Sequence, residues 1–334
     1  MEKAKGIKLA GYFDCPGGGQ VSVEGTTAYI GHMRNPHGTS VVDVADPKNP
    51  KLLAKLEMPL GTHSHKARVG NGIMLTNHAP LMVAERFKML EALFPGRIDL
   101  GLGRAPGTDQ VTAHALRRRL EERPGDDFLE RLQELFLWES GEFAEGHPFN
   151  RVKVMPSGVP LPPVWLLGSS DYSAQLAAEI GVGYSFASHF SDFDAAVPMR
   201  TYRTRFKPSA SLDKPYAIIA VAAVIAETDA EAARLAMTYD LNWLRRAKGE
   251  MLPLPSPEEA RAYPWTDQER AYIARRRQRL FCGSAGTVAE RLRLFVAQTE
   301  ADEVMITSSI YDHEARKRSY ALLAQCWDGI KQAA

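Results

Sequence analysis

The spacing of apolar residues divides the chain into two textures. Up to about residue 66 the apolar positions alternate in short runs: Gln20–Ile30 reads as two strands around Glu24-Gly25, and Thr39–Val44 and Lys51–Glu57 as two more. Gly, Pro and Asn turns, among them Asp46-Pro-Lys-Asn-Pro50, separate them, and no amphipathic helix of ordinary length fits. Short strands punctuated in this way predict an antiparallel sheet.

From Leu81 the period changes. Leu81, Val83, Ala84, Phe87, Leu90 and Leu93 fall at helical spacing, and a strand-like stretch, Arg97–Gly103, follows. Helices are expected at Asp127–Leu137, Ser170–Ile180, Asp229–Tyr239, Thr287–Gln298 and about Asp312–Trp327. Strands are expected at Pro163–Leu167, Tyr184–Ser188, Tyr216–Ala226 and Glu303–Thr307, and Ala67–Leu75 would be the first of the series. Six strands alternating with helices predict parallel β/α units. The Pro- and Glu-rich stretch from Gly249 to Tyr263 reads as a surface excursion.

Composition narrows the class. The 334 residues are 45% hydrophobic and 24% charged, with a net charge of +1. Such a balance gives no electrostatic case for nucleic acid or an anionic membrane. The run Arg275–Arg279 lacks interleaved aromatics and reads as the solvated face of a helix. Three widely spaced cysteines (Cys15, Cys282, Cys326) read as reduced thiols. No apolar run is long enough to span a membrane, and Met1–Gly6 lacks the apolar core of a secretion signal, so a cytoplasmic protein is expected.

The candidate chemistry gathers at strand ends. At the end of the 97–103 strand stands Gly101-Leu-Gly-Arg-Ala-Pro-Gly107, which offers bare backbone N–H groups and one guanidinium, a combination suited to phosphate. Gly168-Ser-Ser-Asp-Tyr-Ser173 joins a strand to a helix, and Ser169 or Ser170 can cap that helix while its first N–H groups face an anion. His78, before Ala79-Pro80, is either a site residue or a hydrogen-bonded turn residue, and His189 follows the 184–188 strand. His32, His37, His63 and His65, with Asp14 or Cys15, lack strict zinc spacing, so no metal site is expected.

Taken in order, Asn77–Phe87 with Leu90–Gly107, Val164–Ala178, Phe186–Phe190 and Arg318–Leu323 resemble the bacterial luciferase-like flavin-dependent monooxygenases. The resemblance covers residues 67–334. It implies an α/β fold, a TIM-type (β/α)8-like barrel, here without its first two β/α units. It further implies reduced FMN, or a deazaflavin in some branches, and transfer of one oxygen atom from O2 to a small organic substrate. A flavin reductase would supply electrons, and the exposed sheet edges suggest a homodimer. Arg104 and Gly103, with Gly168, Ser169, Ser170 and Ser173, would bind the flavin phosphate. Asn77 and His78 would lie near the flavin ring, and His189 would face substrate or flavin.

Residues 1–66, through Gly17–Val21, Tyr29–Pro47 and Gly61–Lys66, resemble about one blade of an LVIVD-type β-propeller. A different expectation follows from that segment: a catalytically impaired hybrid that acts as a binding protein through its amino-terminal β segment.

Overall fold

A computed structural model describes residues 18–24, 26–32, 37–57, 78–105, 127–250 and 252–331. The chain forms two compact units, one of residues 1–99 and 106–162, the other of residues 100–105 and 163–334.

The first unit contains the expected antiparallel sheet. Strands β1 (Gly18–Glu24), β2 (Thr27–His32), β3 (His37–Asp43) and β4 (Lys51–Glu57) form a meander in the order β1-β2-β3-β4. The link from β3 to β4 turns on Asp46, whose carboxylate accepts from the Lys48 N–H at 3.0 Å and the Asn49 amide at 2.7 Å. An Asp that bonds its own turn holds the loop that Pro47, Asn49 and Pro50 mark in the sequence. Helices α1 (Pro80–Leu93) and α2 (Phe128–Ser140) belong to the same unit and pack together. Val83, Ala84, Leu132 and Leu135 are fully buried, and Lys88 on α1 pairs with Glu139 on α2 at 2.7 Å. The strand expected at Ala67–Leu75 lies outside the described residues.

The second unit is a parallel α/β layer. In chain order it comprises β5 (Leu100–Gly103), β6 (Val164–Gly168), α3 (Asp171–Ile180), β7 (Gly183–Ala187), α4 (Ala196–Arg205) and β8 (Ala217–Ala226). It continues with α5 (Asp229–Ala247), α6 (Pro257–Ala262), α7 (Asp267–Arg277), β9 (Leu280–Ser284), α8 (Ala285–Thr299), β10 (Glu303–Thr307) and α9 (His313–Lys331). The strand order is β10-β8-β7-β6-β5, with β9 also on β8. Every residue of β8 is buried, as expected for a parallel strand covered on both faces. Its ten residues serve three partners: 217–220 pair with β7, 218–222 with β10 and 222–226 with β9. Ala222, Val224 and Ala226 pack with Ala232, Leu235, Ala236 and Tyr239 of α5, small residues that let the helix approach the sheet closely.

Four expectations bear comparison with the structure. Among the described residues the sheet is open, because β10 pairs with β8 and β5 pairs with β6 alone. A barrel requires its end strands to bond to each other. Strand β9 was not expected; its only large apolar side chains, Leu280 and Phe281, follow directly on the arginine run and are too few to register as a strand. That run is also not a solvated face. Arg276 lies over the Trp243 ring at 3.8 Å, Arg277 forks onto Asp240, and Arg279 pairs with Asp192. The aromatic partner comes from α5, too far back in sequence to appear as interleaving. The 249–263 excursion, finally, contains α6, started by a Ser256–Glu259 capping box.

Candidate functional site

The carboxyl ends of β5, β6 and β7 lie side by side, and in an open parallel sheet ligands bind at such ends. In register, Gly103 sits opposite Leu167, so the chain leaves β5 at Arg104 beside the Gly168 loop that closes β6. Helix α3 starts at Asp171. Its N-cap, Ser170, is extended (φ −148°, ψ 179°) and makes no side-chain cap bond. Among the described residues no side chain accepts from the first-turn N–H groups of α3, and Asp171 is the one acid in that turn.

The loop is braced from behind. Ser191, itself buried, donates to the Ser169 carbonyl at 2.6 Å, and the Tyr184 hydroxyl donates to the Ser170 carbonyl at 3.4 Å. Burial, with the Asp171 charge adding to it, raises the Tyr184 pKa far above its ordinary value, so this donor stays protonated. Ser173 is also buried, and its hydroxyl donates to the Leu167 carbonyl at 3.2 Å. A Cβ on Gly168 would lie 2.5 Å from the Ser173 Cβ and 2.6 Å from its Oγ, so glycine is required there. Gly103 is not so constrained: the nearest atom to an added Cβ would be the Leu167 carbonyl oxygen at 3.6 Å.

Arg104 extends over the ring of Tyr172, the second residue of α3, with its guanidinium carbon 4.2 Å from the ring centroid. Among the described residues it has no carboxylate partner and no hydrogen bond. The one acid in the first turn, Asp171, accepts from Gln175 instead. The Ser169 and Ser170 hydroxyls are likewise unengaged among the described residues. Sequence reasoning picked out this loop pair but missed Tyr172, Tyr184 and Ser191. Tyr172 stands inside the quoted motif, and its aromatic character beside an arginine was the available signal.

The two histidines fall in different units. His189 is half-buried, and both its backbone N–H (3.1 Å) and its Nδ1 (3.3 Å) meet the Ala220 carbonyl. A carbonyl only accepts, so Nδ1 carries the proton and Nε2 is left as an acceptor. Burial holds the imidazole below its ordinary pKa, partly opposed by that carbonyl. His78 stands just before α1, and its carbonyl accepts from Arg131 at 3.4 Å. Asn77 lies outside the described residues, as do Asp14, Cys15, His63 and His65. Among the described residues no group of three or more metal-ligating side chains gathers, and no helix is long and apolar enough to cross a membrane. Ser191 also lines a pocket of about 360 Å³, shared with Ser188, Phe193, Arg279, Phe281 and Arg291.

A parallel α/β layer with a glycine–arginine loop beside the start of a helix defines an α/β protein with its candidate site at the strand ends. Comparison makes it specific: the luciferase-like monooxygenase family model matches residues 60–303, and the chain belongs to that family. The uncharacterised protein YvbT of Bacillus subtilis (strain 168) is 42% identical over 264 residues, covering 78% of this chain and 77% of its own. The apo-MsnO8 crystal structure superposes with a TM-score of 0.67 at 35% identity, over 77% of this chain and 76% of that one. The oxygenating constituent of 3,6-diketocamphane monooxygenase from Pseudomonas putida, solved in complex with FMN, shares the fold at a TM-score of 0.51 and 19% identity, covering 75% and 76%.

Proposed function

We propose that this chain is a flavin-dependent monooxygenase that holds reduced FMN by its phosphate at the start of α3. One observation carries the reading: Arg104 lies over Tyr172 at the N-terminus of α3, with no carboxylate partner among the described residues. A phosphate monoester suits this donor set. A guanidinium presents a planar fork to phosphate oxygens, and the helix start adds backbone N–H groups. The Ser169 and Ser170 hydroxyls complete the cradle. Ser173 braces Gly168 from inside, and Ser191 and Tyr184 fix the direction of the loop carbonyls.

When bound, reduced FMN supplies the activation of O2 and the transfer of one oxygen atom to a small organic substrate. The protein contributes position and exclusion of water. His189, neutral at pH 7 and held by Ala220, offers Nε2 as an acceptor toward substrate or flavin. Electrons come from a separate flavin reductase to a homodimer. A deazaflavin carrying the same phosphate would use the same cradle. The impaired-hybrid reading has no comparable observation behind it.

The test is a flavin fluorescence titration of the purified chain. FMN is expected to bind at micromolar concentration, and Arg104→Ala to weaken it about tenfold or more, the scale of a charge-assisted phosphate contact. No FMN or deazaflavin binding at tens of micromolar would overturn the enzyme reading. Unchanged affinity in Arg104→Ala would overturn the phosphate assignment.

A further inference from the structure

The setting of Arg104 is unusual for an exposed arginine. A carboxylate, Asp171, stands next in sequence to the ring it stacks on, and yet the guanidinium takes the ring while Asp171 binds Gln175. The two partners have opposite consequences. A carboxylate would occupy the in-plane N–H fork, whereas an aromatic ring engages the guanidinium face and leaves all five N–H donors free. The ring also restricts a long side chain that would otherwise sample many rotamers, so less entropy is lost when an anion arrives. Tyr172 itself is well placed to do this, because its backbone is fixed in the first turn of α3.

We propose that Tyr172 is a positioning residue that pre-organises Arg104 and thereby sets the preference of the site for a flavin carrying a terminal phosphate over one lacking it. The proposal rests on the phosphate reading above. It adds that the discrimination between FMN and riboflavin comes from the Tyr172–Arg104 stack acting together with the guanidinium, and not from the arginine charge alone. The interaction needs the ring face but not the hydroxyl, for which no hydrogen bond exists among the described residues.

The experiment is an equilibrium titration of the full chain with FMN and, separately, with riboflavin. It compares wild type, Tyr172→Phe, Tyr172→Leu, Arg104→Ala and the Tyr172→Leu/Arg104→Ala pair, each first checked for an unchanged thermal unfolding midpoint. An exposed cation–π contact corresponds to about a two- to fivefold effect. Tyr172→Leu should weaken FMN by that factor and leave riboflavin unchanged, and Tyr172→Phe should match wild type for both. The double variant should bind FMN no more weakly than Arg104→Ala, since the ring acts through the arginine. Equal weakening of FMN and riboflavin by Tyr172→Leu, or additive losses in the double variant, would overturn the proposal. So would wild-type FMN affinity in Tyr172→Leu while Arg104→Ala is impaired, a result that leaves the phosphate site standing. Loss of effect in Arg104→Ala itself would instead remove both readings.

Discussion

Replacing Gly168 by alanine tests how tightly the loop after β6 is built. The new Cβ would fall 2.5 Å from the Ser173 Cβ and 2.6 Å from its Oγ. Comfortable carbon contacts lie near 3.5–4.0 Å, so one side must retreat by about 1 Å. Ser173 has little freedom to do so: it is 8% exposed, sits in the first turn of α3 and bonds the Leu167 carbonyl. Overpacking of this kind costs about 1–3 kcal/mol. Reduced freedom of the unfolded chain returns about 0.4–1 kcal/mol, leaving a net loss of about 1–2 kcal/mol. Urea unfolding at constant m reads this as a lower midpoint. Removing the obstructing atoms in Gly168→Ala/Ser173→Gly should make the pair less damaging than the sum of the two single losses, with a coupling of about 1 kcal/mol. A Gly168→Ala protein within about 0.5 kcal/mol of wild type, or strict additivity in the pair, would refute the steric argument and the idea of a rigid loop.

Two further outcomes concern stability. Asp240 is buried and accepts from Arg277 at 2.6, 2.7 and 3.0 Å. Asp240→Ala should cost about 2–4 kcal/mol in chemical denaturation, slightly below the usual range for breaking a buried pair because part of Arg277 reaches solvent; a loss under about 1 kcal/mol would contradict this. The second concerns pH. Because the folded His189 pKa is depressed below 6.5, the unfolded chain takes up the proton first as pH falls. Its contribution is complete above pH 6.5 and is lost as pH drops toward the folded value. His189→Gln should therefore flatten the stability–pH profile below pH 6.5, and an unaltered slope would show that His189 does not carry it.

Local periodicity was enough to show the antiparallel meander, α1, α2, α3 and the ten-residue apolar run of β8, because each depends on residues a few positions apart. The glycine–arginine and glycine–serine loops were legible for the same reason: unusual residue types follow directly on apolar strands. The extent of α5 was only half visible, and β9 was hidden, because two apolar residues carry no period. Other features depended on partners distant in sequence. Whether Arg275–Arg279 faces water was decided by Trp243, Asp240 and Asp192.

At the candidate site the sequence by itself determined the donor types: Arg104, two serines and a helix start preceded by glycine. Only the tertiary structure decided that Arg104 stacks on Tyr172 rather than pairing with Asp171, and that Ser173 turns inward onto Leu167. A local pattern specifies what a backbone segment can become. Which side chain or strand edge then meets it depends on segments that only folding brings within contact distance.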